Sequence, residues 1–142
     1  MKIIEIPGHT KTHIAFYLAD HEKNKHALFC GDTLFSAGCG RLFEGSEEEM
    51  FTSLKLINSL PSATKIYSGH EYTENNLRWA QSLLPKNLHI NIKLQEVIEK
   101  RKQGITTLPS SLKEERKINL FLQAENIKEF SFLRNHKDNW VG

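Results

Sequence analysis

Four short runs of apolar, β-branched and aromatic residues are separated by turns through the first half of the chain, and glycine or asparagine lies close to three of them. The runs occupy positions 2–6, 14–19, 26–30 and 64–68. Runs of this length and composition, bounded by turn residues, are typical of β-strands. The first half of the chain is therefore predicted to form a sheet.

One helix is predicted between the third and fourth of these strands, over residues 46–60. Ser46 is followed three residues later by Glu49, which is the spacing of a capping box at a helix N-terminus. Leucine and isoleucine then recur at helical spacing as far as residue 60, and Pro61 marks the end of the helix.

The hydrophobic period changes to 3.6 residues after Gly69, which predicts a mostly helical second half. Apolar positions at this spacing predict helices over 73–84 and 87–104. Residues 105–111 have the composition of a linker-like loop, and the apolar residues beyond it indicate one or two further short helices. The pattern as a whole predicts an α/β fold.

Composition and charge narrow the function classes. At 142 residues, with 39% hydrophobic and 25% charged residues, the chain has the size and composition of one globular domain with at most a small appendage. The net charge of +2 is spread out, which is a weak signal for nucleic-acid binding. No long apolar run suggests a membrane span or a signal peptide, so we expect a cytoplasmic protein with neither a membrane nor a nucleic acid as partner. Cys30 and Cys39 form no Cys-x-x-Cys pair, and two free thiols are expected.

Three of the predicted strands end at a glycine that is followed by a side chain able to bind a metal. These side chains are His9, Asp32 and His70. Taken singly, each is more typical of a turn residue that bonds to its local backbone. In layered αβ folds, however, the exits of neighbouring strands converge on one edge of the sheet, so the three side chains could also meet in one site.

Three segments together carry a family resemblance. "PGHT", "GDTLFSAGCGRLFEG" and "GHEYTENNLRWA", in this order, resemble glyoxalase II, the hydroxyacylglutathione hydrolase family of the metallo-β-lactamase superfamily. "TLPSSLKEE" and "RNHKD" extend the likeness toward the C-terminus. The resemblance implies the C-terminal portion of an αββα metallo-β-lactamase domain over residues 1–80, followed by a small helical, substrate-binding domain over residues 81–142.

The resemblance also implies the cofactor and the reaction. His9 would bind a first metal ion, His70 a second, and Asp32 would bridge both and be the catalytic residue of the set. The metals are usually zinc, with iron or manganese as alternatives, and metal coordination lowers the pKa of bound water from about 16 to about 7. The hydroxide formed in this way would hydrolyse the thioester of an S-(2-hydroxyacyl)glutathione, such as S-lactoylglutathione, to a hydroxy acid and glutathione in methylglyoxal detoxification.

The residues implied to contact the substrate lie in the same segments. Several are cationic, as expected for a ligand with the two carboxylates of glutathione. Phe43 stands where the family often has tyrosine, which removes one hydroxyl contact, and Gln123 stands where the family has arginine. The substrate-binding set implied by the resemblance is Arg41, Phe43, His70, Tyr72, Arg134 and Lys137.

The family's Thr-His-x-His-x-Asp-His motif does not occur in this sequence. That motif supplies two ligands to each metal, so the sequence leads us to expect a truncated chain, whether a gene fragment, an internal start after a frameshift, a partly expressed chain or half of a split protein. Weak or absent zinc binding and negligible hydrolysis by the chain alone are expected. Three alternatives remain: an inactive fragment, a glutathione-binding module, and a half-enzyme completed by a missing N-terminal half. An exposed sheet face also favours self-association.

Overall fold

A computed structural model describes all residues from 1 to 142. The strands are β1 (Lys2–Glu5), β2 (Ile14–Asp20), β3 (Lys25–Gly31), β4 (Leu34–Phe35), β5 (Gly38–Cys39), β6 (Lys65–Ser68) and β7 (Ser110–Ser111). The helices are α1 (Glu47–Asn58), α2 (Thr73–Leu83), α3 (Leu88–Lys102), α4 (Leu112–Ile118), α5 (Leu120–Gln123) and α6 (Ile127–Asp138).

Five strands form one sheet in the order β1-β2-β3-β6-β7, and β4 pairs with β5 in a separate hairpin. The pairs β1–β2, β2–β3 and β6–β7 are antiparallel, whereas β3 and β6 are parallel. β1, β3 and β6 therefore run in the same direction, and their C-terminal ends lie at one edge of the sheet.

One face of the sheet is buried under the helices. Ile4, Ala15, Leu28 and Ile66 point to this side, and all are buried in a single core cluster that includes residues of α1, α2, α3 and α6. The helices of the second half thus share one core with the strands of the first half. The structure contains no helix that is both long and apolar enough to cross a membrane.

The opposite face of the sheet is open and apolar. Residues from four adjacent strands align across it: Ile3 lies opposite Phe16, Phe16 opposite Phe29, and Phe29 opposite Tyr67. The Phe29 and Tyr67 rings stack with their centroids 4.6 Å apart. All four side chains are exposed, so this apolar row has no covering layer in the chain.

The predicted elements are largely confirmed, and the differences are short. The capping box is present: the Glu49 N–H donates to Ser46 Oγ, and the Ser46 N–H donates to the Glu49 carboxylate. The segment 105–111, predicted as a loop throughout, ends in β7, which pairs with β6. Three helices follow it rather than one or two. Both cysteines are free, as expected, and both are buried.

Candidate active site

The three strand exits bring His9, Asp32 and His70 together. Oδ2 of Asp32 lies 3.8 Å from Nε2 of His9 and 3.5 Å from Nε2 of His70. The exits are also joined directly, since the Gly69 N–H donates to the Gly31 carbonyl at 2.8 Å. The convergence expected from the sequence is therefore present, with the carboxylate between the two imidazoles.

The backbone of the Arg41 segment orients the His9 side chain. Its Nδ1 lies 2.8 Å from the carbonyl oxygen of Arg41. Because a carbonyl only accepts, Nδ1 donates this hydrogen bond, and in a neutral imidazole the lone pair is then on Nε2, which faces Asp32. The His9 carbonyl in turn accepts from the Phe43 N–H at 3.2 Å, so the strand exit and the Arg41 segment hold each other in place.

Close backbone packing requires glycine at two positions of the site. A Cβ on Gly69 would collide with Oδ1 of Asp32. A Cβ on Gly40 would collide with the Asp32 carbonyl and would lie 3.1 Å from Nδ1 of His9. These glycines let three segments approach closely enough for the Asp32 carboxylate to reach both histidines.

All eight residues that the sequence suggested for metal or substrate binding line one cavity of about 660 Å³. The other lining residues come from the β4–β5 hairpin and Gly40 after it, the start of α2 and the chain end after α6. The predicted residues that line it are His9, Asp32, Arg41, Phe43, His70, Tyr72, Arg134 and Lys137.

Aromatic rings flank the two histidines. The Tyr72 ring stacks on the His70 ring with centroids 5.1 Å apart. Phe43 makes an edge contact with His9 at 5.0 Å between ring centroids, and it is 71% exposed. These rings are apolar parts of the cavity lining beside the two histidines.

The cations of the cavity differ in how they are held. Arg41 is well exposed, and its Nε lies 3.8 Å from Asp138. Lys137 packs over the ring of Trp79, with Nζ 4.9 Å from the ring centroid. Burial, with the nearby Arg134 adding to the effect, lowers the pKa of Lys137 from 10.5 to about 8. Lys137 is thus a cation near neutral pH that loses its charge in mildly basic solution.

Arg134 is turned toward the protein rather than toward the open cavity. Nη1 donates to the Cys39 carbonyl at 2.8 Å, and Nη2 donates to Oδ1 of Asp138 at 2.7 Å. The residue is buried, and its guanidinium lies over the Phe121 ring. Its contacts therefore fix the segment that carries Arg41.

Several residues around the site were not singled out from the sequence. His13 lies with its ring centroid 5.8 Å from that of His9, and burial is the main cause of its lowered pKa. Glu115 and Asn119, both fully buried, bind the loop between Asp32 and Arg41. Glu115 lies on α4 and Asn119 caps the end of that helix, and no local sequence signal places either residue at the site.

The side chains of His9, Asp32 and His70 have the chemistry of metal ligands, but Asp32 forms a separate pair with each histidine rather than one group of three. Imidazole and carboxylate suit zinc, and two ligands on one tetrahedral zinc lie about 3.3 Å apart. The two histidine-to-carboxylate distances, 3.8 and 3.5 Å, are slightly wider than this. The structure contains no group of three or more His, Cys, Asp or Glu side chains arranged to hold one ion. Asp32 is thus shared by two incomplete donor pairs.

Comparison with known proteins gives a consistent result. Residues 71–140 match the family model described as "Hydroxyacylglutathione hydrolase C-terminus". A curated relative, the hydroxyacylglutathione hydrolase of one Prochlorococcus marinus strain, is 57% identical over 142 residues, which cover 99% of this chain and 56% of the relative. The chain therefore spans little more than half the length of such relatives.

Two solved structures support the fold. A metallo-β-lactamase from Staphylococcus aureus subsp. aureus COL is 22% identical with a TM-score of 0.62, and the match covers 99% of this chain and 34% of that one. ETHE1 from Myxococcus xanthus is 24% identical with a TM-score of 0.60, covering 97% and 44% respectively. At this identity the likeness concerns the fold alone, and it confirms that the α/β architecture is part of a metallo-β-lactamase fold.

Proposed function

Because the chain belongs to the hydroxyacylglutathione hydrolase family, we propose that its cavity is the metal- and substrate-binding part of a thioester hydrolase. The substrate would be an S-(2-hydroxyacyl)glutathione such as S-lactoylglutathione, and the products a hydroxy acid and glutathione. The observation that supports this most directly is the convergence of His9, Asp32 and His70 at the mouth of a cavity that also contains Arg41 and Lys137.

Two metal ions, zinc or alternatively iron or manganese, would be held by this chain through His9 on one side and His70 on the other, with Asp32 shared. When bound, such ions supply a nucleophile at neutral pH and polarise the thioester carbonyl. Because each histidine-to-carboxylate pair is incomplete here, a working centre needs further ligands. The longer relatives have the length to carry them, since this chain covers only 56% of the relative compared above.

The chain's own residues would bind and orient the substrate. Arg41 and Lys137 offer separate positive charges to the carboxylates of glutathione. Tyr72 and Phe43 shield the histidines from one side, and Arg134 keeps the Arg41 segment in place through the Cys39 carbonyl. A glutathione thiolate leaves readily, so no strong acid is needed at the leaving group.

The test is a hydrolysis assay with S-lactoylglutathione, combined with metal analysis of the purified chain. We expect weak metal binding and negligible turnover by this chain alone, and measurable turnover when a separately produced N-terminal segment of a relative is added. Asp32→Asn in the mixture should abolish the turnover. No turnover in the mixture, despite a formed complex, would contradict the proposal.

A second function, glutathione binding without hydrolysis, is favoured by one specific observation. All six residues implied to contact the substrate line the cavity of this chain, whereas no three metal donors are gathered on one point. Calorimetry with glutathione tests this function directly. Heat that saturates at millimolar glutathione and is lost in Arg41→Ala supports it, and the absence of heat rejects it.

A further inference from the structure

The segment from Asp32 to Arg41 contains the β4–β5 hairpin and is here called the site loop (residues 32–41). Buried polar groups from the helical half of the chain hold the apex of this loop. Oε1 of Glu115 accepts from the Ser36 hydroxyl at 2.7 Å, and Oε2 accepts from the Ala37 N–H at 2.8 Å. Glu115 is fully buried on α4, far along the chain from the loop that it binds.

Two asparagines complete this set of contacts. Nδ2 of Asn119 donates to the Phe35 and Gly38 carbonyls at 3.1 and 3.0 Å, on either side of the apex. Nδ2 of Asn76 donates to the Ser36 carbonyl at 2.9 Å. The backbone of the apex is therefore bound by side chains from separate parts of the helical half.

The apex needs such support because of its backbone conformation. Ala37 has a φ of +57°, in the left-handed region that residues with a Cβ rarely adopt. A strained residue persists where its surroundings fix it, and the Glu115 carboxylate receives the Ala37 N–H directly. At the other end of the loop the Gly40 N–H donates to the Thr33 carbonyl at 3.1 Å, which closes its base.

A buried carboxylate is a costly way to fill space. Burying a carboxylate costs free energy unless hydrogen bonds compensate for the lost water. Burial raises the pKa of Glu115 above its usual range, and the hydrogen bonds from Ser36 and Ala37 act against that rise. Both of its oxygens are used on the site loop, one of them also accepting from Asn119 at 3.2 Å, so its role is directed at this loop.

We propose that Glu115 is a positioning residue that fixes the apex of the site loop and thereby the placement of Arg41 relative to Asp32. It does not line the cavity and forms no hydrogen bond with the metal donors, and it acts through Ser36 and Ala37. The role in ligand binding rests on the function proposed above, whereas the role in fixing the loop does not.

The test compares three variants. Glu115→Leu removes both acceptors and keeps a side chain that can pack in the buried space. Glu115→Gln keeps an oxygen for the Ala37 N–H, and its amide group can donate to the Ser36 hydroxyl oxygen. Leu94→Ala, in the core on α3, lowers stability by a substitution outside the site loop.

Amide hydrogen exchange of the free chain is the first measurement. We expect exchange at Ala37 and Gly40 to rise at least tenfold in Glu115→Leu, beyond the change in amides of α1. Glu115→Gln should stay within about twofold of the wild type, and Leu94→Ala should leave the ratio of loop to α1 exchange unchanged. Should Glu115→Leu not fold, Glu115→Asp, which withdraws the carboxylate by one methylene, is expected to raise Ala37 exchange at least threefold. Unchanged loop exchange in the folded variant overturns the proposal.

Glutathione calorimetry is the second measurement. The dissociation constant should rise at least threefold in Glu115→Leu and be restored in Glu115→Gln. If the wild-type chain binds no glutathione, the function proposed above fails while hydrogen exchange still decides the positioning role. If glutathione binds and Glu115→Leu loosens the loop without weakening binding, the placement of Arg41 does not depend on Glu115 and the proposal is overturned in that part.

Discussion

Arg134 shows how one residue can belong to a cavity and still serve the fold. It lines the cavity, but only 3% of it is exposed, and its guanidinium is occupied by Cys39, Gly40 and Asp138. An arginine removed from such a position leaves a buried carbonyl without a donor, which is costly. We therefore expect Arg134 to affect stability as well as substrate binding.

Arg134→Ala is predicted to lower the free energy of unfolding by about 3 kcal/mol, because it loses charge-assisted hydrogen bonds and leaves the Cys39 carbonyl unpaired. Urea unfolding measures this. Arg78→Ala is the matched control, since Arg78 forms only an exposed pair with Glu74 one helical turn away and should cost about 0.5 kcal/mol or less. Equal losses in the two variants would contradict the buried role.

Lys137 gives a pH prediction. Its pKa of about 8 lies below the usual 10.5, mainly through burial, so the side chain is charged below pH 8 and neutral above it. Its attraction for a carboxylate is present at pH 7 and fades as the pH rises through 8. Glutathione affinity should therefore fall between pH 7 and pH 9 in the wild type and fall less in Lys137→Arg, as calorimetry at both pH values can show. Parallel pH profiles would count against Lys137 as a carboxylate partner.

The same lysine affects stability with a definite sign. Between pH 8 and 10.5 the unfolded chain binds a proton at Lys137 that the folded chain has lost, so this residue makes the folded state more stable as the pH rises through that range. Below pH 8 both states are protonated, and the cost of burying the charge is fully present.

At the residue scale, the metal-binding candidates could be predicted and their supports could not. His9, Asp32 and His70 each follow a glycine at or just beyond the end of a strand, which is a local pattern. Glu115 lies in a charged stretch, "LKEERK", whose local sequence resembles an exposed helix. Its burial results from the packing of α4 against the site loop, which no local pattern encodes.

At the scale of elements, α1 has the most explicit start of any helix in the chain. Ser46 and Glu49 exchange hydrogen bonds between side chain and backbone, and three glutamates fill the first turn, where the helix dipole favours negative charge. Sequence alone defined this element because its start signal is local.

Ser46→Ala is predicted to cost about 1 kcal/mol of stability, because the Glu49 N–H loses its acceptor. Thermal or urea unfolding of the two proteins provides the measurement. Ser59→Ala, at the other end of α1, removes a hydroxyl that donates only to the Leu56 carbonyl on the surface and is expected to cost less. A loss in Ser46→Ala no greater than that in Ser59→Ala would show that the box contributes little.

The short strands β4, β5 and β7 were not predicted, for a physical reason. Each has two residues, so none can show the alternation of apolar and polar positions that identifies a strand. They exist through pairing: Ser110 faces Ile66 across the edge of the sheet, and Leu34 faces Cys39 in the hairpin. Strands that form through pairing with distant residues, and that show no periodicity of their own, cannot be predicted from a local sequence pattern.

At the scale of the whole molecule, the open apolar face of the sheet dominates behaviour in solution. Ile3, Phe16, Phe29 and Tyr67 form a continuous exposed row across four strands. Exposed patches of this kind drive association unless a further layer covers them. The longer relatives have additional chain, which this one does not match.

We predict that the chain self-associates at micromolar concentrations through this face. Phe16→Thr combined with Phe29→Thr keeps the strand propensity, removes the two central rings and should return the protein to a monomer in analytical ultracentrifugation. Phe132→Thr is the control, since Phe132 is equally apolar and 60% exposed but lies on α6. A wild-type chain that sediments as a monomer at these concentrations would contradict the prediction.

The parallel pairing of β3 with β6 has a consequence for folding. The Gly31 and Ser68 ends of these strands, which carry Asp32 and His70, are neighbours only after a loop of about forty residues has closed, a step that is entropically slow. His9 joins them through β1, which reaches β3 only by way of β2. No short excised peptide can therefore gather the three donors, and they meet only when the sheet has closed across its parallel pair.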